Sequence, residues 1–312
     1  MEGAYDFQKE LETWGPESVT SPSLNLHDSE TYCRWLARTH YENFPVVTWC
    51  LPKKFHQDFY NVYAYCRWAD DLGDEVEDSA HSLELLDWWN ENLNSCYAGE
   101  GSTHPVFVAL KKTIVKCAIP QKPFADLISA FKQDQRISEY ESFEQLLDYC
   151  TRSANPVGRL VLYVCGQFSE VNATWSDKIC TGLQLTNFWQ DVARDLERGR
   201  IYLPQEDCLN FGYSRAELHQ RVTNNAFLNL MEFQVNRARE FLLAGLSLVA
   251  RLPGRLQIDI ELFSRGGLRI LDRIESIGYR VLESRPVLRK RDMIWLVASC
   301  LFRFAGRKLG LG

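Results

Sequence analysis

The chain has 312 residues, 46% hydrophobic and 24% charged, with a formal net charge of −6. That is enough to bury a large core, and too acidic, with no aromatic–basic motif, for general nucleic-acid binding. Ten cysteines are dispersed without a C-x-x-C, which argues against a zinc or disulfide framework and for a reducing, cytoplasmic setting.

The start, "MEGAYDFQKELETWG", is acidic and lacks the apolar core of a secretory signal. Residues 1–27 are polar with Gly, Pro and Ser and read as a loose lead-in; 28–312 read as one helical domain. Pro52 opens a long helical segment, "PKKFHQDFYNVYAYCRWADDLGDE". "SLELLDWWNENLNSCYAG" is a helix that Gly99 ends. "HPVFVALKKTIVKCAIP" and "KPFADLISAFKQD" are shorter amphipathic pieces. "SFEQ" (142–145) and "SRAE" (214–217) have capping-box form. "NPVGRLVLYVCGQF" (155–168) is nearly uncharged, and Gly158 and Gly166 permit close approach. Two long helices are expected over 226–251 and 255–277, broken at Pro253 and Gly254. No run alternates with period two between hairpin turns, and none nears the ~18 apolar residues of a spanning helix. The class predicted is all-α.

Two stretches interrupt this pattern. "YCRWADDLGDE" places Arg67, Asp70, Asp71 and Asp74 on one helical face, and "GLQLTNFWQDVARDLERGRIYLP" does the same with Gln184, Asn187, Asp191 and Asp195. Carboxylates one turn apart repel, by a few tenths of a kcal/mol (~0.2–0.5) when exposed and far more when buried. Mg²⁺ would offset the repulsion: it binds through one or two carboxylates and completes its shell with water and substrate phosphate. For one D-x-x-x-D a solvated acidic face is the plain alternative. Two, each accompanied on its face by an arginine or amides, suit a paired metal–diphosphate site better.

Both motifs, in this order, resemble those of the squalene/phytoene synthase family of head-to-head prenyl transferases: "VYAYCRWADDLGDE" its first aspartate-rich motif, "LQLTNFWQDVARDLERGRIYLP" its second. The likeness spans about 30–300. It implies an isoprenoid-synthase-type helical bundle with a central apolar cavity and two facing motifs at its mouth. There two or three Mg²⁺ ions would hold a prenyl diphosphate. By that likeness Asp70, Asp74, Asp191 and Asp195 are the metal ligands with Asp71 as helper, and Arg67, Gln184 and Asn187 contact substrate. The resemblance also implies that Arg285 and Arg291, in "SRPVLRKRD", reach the diphosphate, a solvated basic turn being the alternative. The chemistry implied separates a carbocation from diphosphate, the cation surviving in a water-poor cavity.

The chain departs from the family's commoner pattern at the pocket. Tyr41 and Asn43, in "HYENFPV", stand where many members carry phosphate-contacting serines. Arg152, in "YCTRSANPVG", and Gly267, in "SRGGLRILD", replace tyrosines, and Gln190 replaces an arginine. These stretches resemble the hydroxysqualene synthases of hopanoid and carotenoid pathways, which act as lyases on presqualene diphosphate. The resemblance implies Arg152 as a catalytic clamp for diphosphate or water, no NADPH, and pathway partners that make presqualene diphosphate and convert hydroxysqualene to squalene by redox chemistry. A squalene synthase, a presqualene diphosphate synthase, a phytoene synthase and a non-catalytic helical scaffold remain alternatives. The C-terminal "DMIWLVASCLFRFAGRKLG" is amphipathic and suits either internal docking or a peripheral inner-membrane contact.

Overall fold

The computed structural model describes residues 5–18, 25–40 and 51–308. Tyr41 and Asn43 lie outside the described residues. Among the described residues all regular structure is helical, apart from one isolated bridge between Glu139 and Ile201. The contacts gather into two compact units: one of residues up to Arg136 with Arg159–Phe168, the other of Ile137–Gly158 with the chain from Ser169 on.

In the first unit the helices are α1 (Phe7–Trp14), α2 (Leu26–His40), α3 (His56–Asp74), α4 (Ser79–Ala98), α5 (Pro105–Cys117) and α6 (Lys122–Asp134). The expected lead-in therefore contains a helix and the first residues of α2. α1 was illegible because its residues are mostly polar; only Phe7 is buried. A short 3₁₀ turn, Lys53–Phe55, leads into α3 from Pro52. Asp78 caps α4 by accepting from the Ala80 and His81 amides at 2.8 and 2.9 Å. Gly99, at φ +86°, ends it. α3 packs against α2, α4, α5 and α6. Its inward face supplies Tyr65, Trp68 and Leu72 to a core completed by Trp89, Phe107 and Phe124, all fully buried. Trp68 and Trp89 stack at 5.4 Å. This rigid backing fixes the outward face of α3, which carries the first acidic ladder.

α7 (Phe143–Ser153) and α8 (Asn155–Val164) follow, then α9 (Glu170–Glu197), α10 (Gln205–Asn210), α11 (Arg215–His219), α12 (Asn225–Gly245), α13 (Leu256–Ser276) and α14 (Lys290–Lys308). The helix expected over 226–251 finishes as 3₁₀ from Leu246. The expected capping box at Ser214 and Glu217 is complete, whereas at 142–145 Gln145 accepts from the Glu141 amide rather than that of Ser142. α9 is the axis of the second unit, packed against α7, α12 and α13. Close approach is bought with glycine: a Cβ at Gly245 would sit 2.4 Å from Ile179, at Gly182 2.8 Å from Leu242, and at Gly158 2.4 Å from Ser176. Gly166 has another role than the expected close approach. It has φ +65° with nothing nearby, a turn residue just past α8.

Candidate active site: two acidic ladders and their arginines

The first ladder occupies the last two turns of α3. Arg67 spans its neighbours, with Nε 3.1 Å from Asp71 Oδ2 and Nη1 3.2 Å from Asp70 Oδ2. Asp71 is buried and also accepts from the Tyr5 hydroxyl. It faces inward, held by Arg67 and Tyr5, so the expected metal-helper role does not match its position. Asp70 keeps an open edge, with 43% of its side chain exposed. Its surroundings still desolvate it, and with the nearby charge of Asp74 they push its pKa up to about 7 against the pull of Arg67. Burial likewise raises Asp71 to about 6, opposed by its hydrogen bonds from Tyr5 and Arg67. Asp74 is exposed one turn further on. No basic residue lies in this last turn, where the helix dipole is already negative.

The second ladder lies near the end of α9. Asp191 is gripped by Arg285 through two bonds, Nε to Oδ1 at 2.5 Å and Nη2 to Oδ2 at 2.8 Å, with Arg194 3.8 Å away. Burial and the charge of Asp191 push Asp195 up to about 7, opposed by Arg198, Arg200 and Arg285. Gln184 is half-buried and Asn187 exposed on the same helix. Beside Asp195 is a small dent, with room for about one water, lined by Phe188, Val192, Arg200 and Tyr202. There Phe188 and Tyr202 stack on each other at 3.8 Å and 11°.

Arg285 is seated by a contact the sequence did not announce. Buried Gln190 donates from Nε2 to the Pro286 carbonyl at 2.5 Å. Downstream, buried Asp292 binds Arg273 at 2.7 Å, Arg269 at 2.9 Å and the Arg289 amide at 2.9 Å, pinning the start of α14. These bonds hold the Asp292 carboxyl well below the usual range. Arg291 is exposed there. Arg152 donates to Asp148 at 2.6 Å, one turn back on α7.

The structure puts each pair of aspartates one turn apart on its helix and Arg285 against Asp191; Tyr5 and the seat that Gln190 provides had no signal in the sequence. Both are long-range contacts without a local pattern.

The donor set fits a hard divalent cation. Oxygen donors stand one turn apart, two are desolvated, and their mutual repulsion holds them toward protonation. Among the described residues no group of three or more His, Cys, Asp or Glu closes on a point, so each pair would leave coordination positions for water or phosphate. No helix among the described residues is long and apolar enough to cross a membrane.

The sequence profile of the squalene/phytoene synthase family matches residues 37–292. A phytoene synthase of Arthrospira platensis is 32% identical over 88% of this chain and 91% of its own. A hydroxysqualene synthase of Rhodopseudomonas palustris is 31% identical over 80% and 82%. The crystal structure of squalene synthase HpnC from Alicyclobacillus acidocaldarius superposes with a TM-score of 0.78 at 40% identity, covering 82% of this chain and 97% of that one. This chain belongs to the squalene/phytoene synthase family, and its all-α fold is theirs.

Proposed function

We propose that this family member converts presqualene diphosphate to hydroxysqualene. One observation carries the diphosphate part of the reading: each acidic ladder is paired with an arginine, Arg67 with Asp70 and Asp71 and Arg285 with Asp191. Such a set binds a diphosphate and a hard cation together, because carboxylates alone repel phosphate and arginines alone need no carboxylates. Asp70, Asp74, Asp191 and Asp195 would hold Mg²⁺, and Asp71 braces Arg67. Bound Mg²⁺ supplies Lewis-acid stabilisation of charge on the leaving oxygens.

Arg67 in the first unit and Arg285 in the second are each suited to diphosphate oxygens, Arg285 by exchanging its bonds to Asp191 for bonds to substrate. Gln184, Asn187, Arg291 and Arg152 are assigned to substrate contacts, and Tyr41 and Asn43 on sequence alone. The C–O bond to diphosphate breaks and its electron pair leaves with the anion. The cation rearranges, a water oxygen closes a new C–O bond, and a proton is lost.

Water rather than hydride as terminating nucleophile is supported by the likeness to hydroxysqualene synthases and by the pocket departures. At Gly267 a Cβ would lie 2.8 Å from a methyl of Leu183 and 2.9 Å from one of Leu242, so the leucines fill the space beside this position. The competing reading, a synthase that condenses two prenyl diphosphates, draws on the similarity to phytoene synthases. Incubating the protein and Mg²⁺ with presqualene, farnesyl or geranylgeranyl diphosphate, with and without NADPH, separates the two. Hydroxysqualene from presqualene diphosphate alone is expected; phytoene or presqualene diphosphate as product would reverse the assignment.

A water-insoluble product suits release at a membrane. The outer face of α14 exposes Ile294, Trp295, Leu301 and Phe302, at 71, 61, 40 and 79%, behind exposed Lys290 and Arg291. Its only acid, Asp292, is buried and neutralised. This supports a peripheral contact with an anionic lipid surface.

A further inference from the structure

α1 lies before the region the family profile matches, which begins at residue 37. Yet three contacts tie α1 and the residue Tyr5 just before it to the turns of α3 that carry the first ladder. The Tyr5 hydroxyl donates to Asp71 Oδ2. Buried Phe7 meets the edge of Trp68 at 5.5 Å. The Tyr32 hydroxyl bridges the two helices, donating to Glu10 at 2.8 Å and accepting from Trp68 Nε1 at 2.9 Å.

The Tyr5 contact differs in kind from the other two. Asp71 is buried, so each hydrogen bond to it is made in a poorly screened setting, and its second partner is Arg67. A carboxylate bonded only by the flexible Arg67 could rotate about χ1 and χ2 and carry the guanidinium with it. Arg67 grips both carboxylate oxygens, Nε on Oδ2 and Nη2 on Oδ1, so the pair moves as one unit; the Tyr5 hydroxyl on Oδ2 anchors that unit to the N-terminal segment. The same guanidinium reaches Asp70 through Nη1 at 3.2 Å, which orients the arginine along the ladder.

We propose that Tyr5 is a positioning residue for the diphosphate site, fixing Asp71 and through it the guanidinium of Arg67. The N-terminal segment is then a working part of the active site rather than an appendage. This inference rests on the reading of the ladder as a diphosphate site.

The test is calorimetric titration of the full-length protein with inorganic pyrophosphate in Mg²⁺, with a thermal melt for each variant. Tyr5→Phe removes one oxygen and keeps the packing. A hydrogen bond to a charged, buried group corresponds to about tenfold in affinity. Tyr5→Phe should therefore bind pyrophosphate about tenfold more weakly, and its melting temperature should fall by a few degrees because buried Asp71 loses a donor. In an Arg67→Gln background the same change should cost less than about twofold, because the group it positions is gone. Arg67→Lys is the background if Arg67→Gln does not fold. Wild-type affinity in Tyr5→Phe, or an equal loss in both backgrounds, overturns the positioning role while leaving the diphosphate reading intact. A wild-type protein that binds no pyrophosphate overturns that reading, and this inference with it.

Discussion

Replacing Gln190 by leucine keeps the volume and removes a single donor, the one bonded to the Pro286 carbonyl at 2.5 Å. Gln190 is only 7% exposed and Pro286 is buried, so the carbonyl would be stranded away from water at a cost of about 1–3 kcal/mol. The cheapest relief is for the 285–289 segment to lift and hydrate the carbonyl, which also withdraws Arg285 from Asp191. That pair is bidentate but partly exposed, 34% at Arg285 and 22% at Asp191, so its loss is worth roughly 1 kcal/mol. Amide hydrogen exchange over 287–290 should then quicken by about five- to 150-fold, the Boltzmann factor of the stranded carbonyl. KM for the diphosphate substrate should rise about fivefold or more while kcat changes less. Arg285→Ala should raise KM similarly, and the double variant should look like Arg285→Ala alone. Unchanged exchange in Gln190→Leu, or fully additive KM effects, would refute the idea that Gln190 works by seating Arg285.

Acid should destabilise the protein through His104. It is buried among Trp68, Trp89 and Phe107, and burial drives its pKa down to about 3. The unfolded state therefore takes up a proton that the native state refuses, and stability falls by up to ~1.4 kcal/mol per unit as pH drops below ~6.5. Urea titrations at pH 7.5 and 5.0 should show a larger loss for wild type than for His104→Asn; equal losses would contradict it. Gly245→Ala forces a Cβ to 2.4 Å from Ile179 and 2.9 Å from its backbone nitrogen, so its melting temperature should fall by several degrees, an overpacking of ~1–3 kcal/mol. Gly306→Ala, with nothing within 4 Å, should be neutral or slightly stabilising. Flotation with vesicles containing phosphatidylglycerol should recover the wild-type protein and lose Ile294→Glu/Phe302→Glu several-fold, with neutral phosphatidylcholine vesicles recovering neither. Equal recovery of both proteins would remove α14 as the contact.

The helices were legible where a local signal marks them: Gly99 at the end of α4, Ser214 and Glu217 at α11, and the i,i+4 aspartates. The pairing of Arg152 with Asp148 is also an i,i+4 contact that spacing alone could have given. α1 escaped because one buried residue, Phe7, makes no periodic pattern; its attachment is through Tyr5 to a carboxylate 66 positions away. Spacing likewise put Asp70 and Asp71 on a shared face, while their 100° separation on the helix decides that one keeps an open edge and the other turns inward. Gln190 and Pro286, 96 positions apart, meet only once the fold exists.

The central claim is water capture after diphosphate ionisation. Its most direct measurement is a single-turnover incubation of the protein with Mg²⁺ and presqualene diphosphate in H₂¹⁸O without NADPH, followed by mass spectrometry. The account predicts stoichiometric pyrophosphate and a C30 alcohol bearing one ¹⁸O. Unconsumed presqualene diphosphate, or an alcohol with no ¹⁸O, would contradict it.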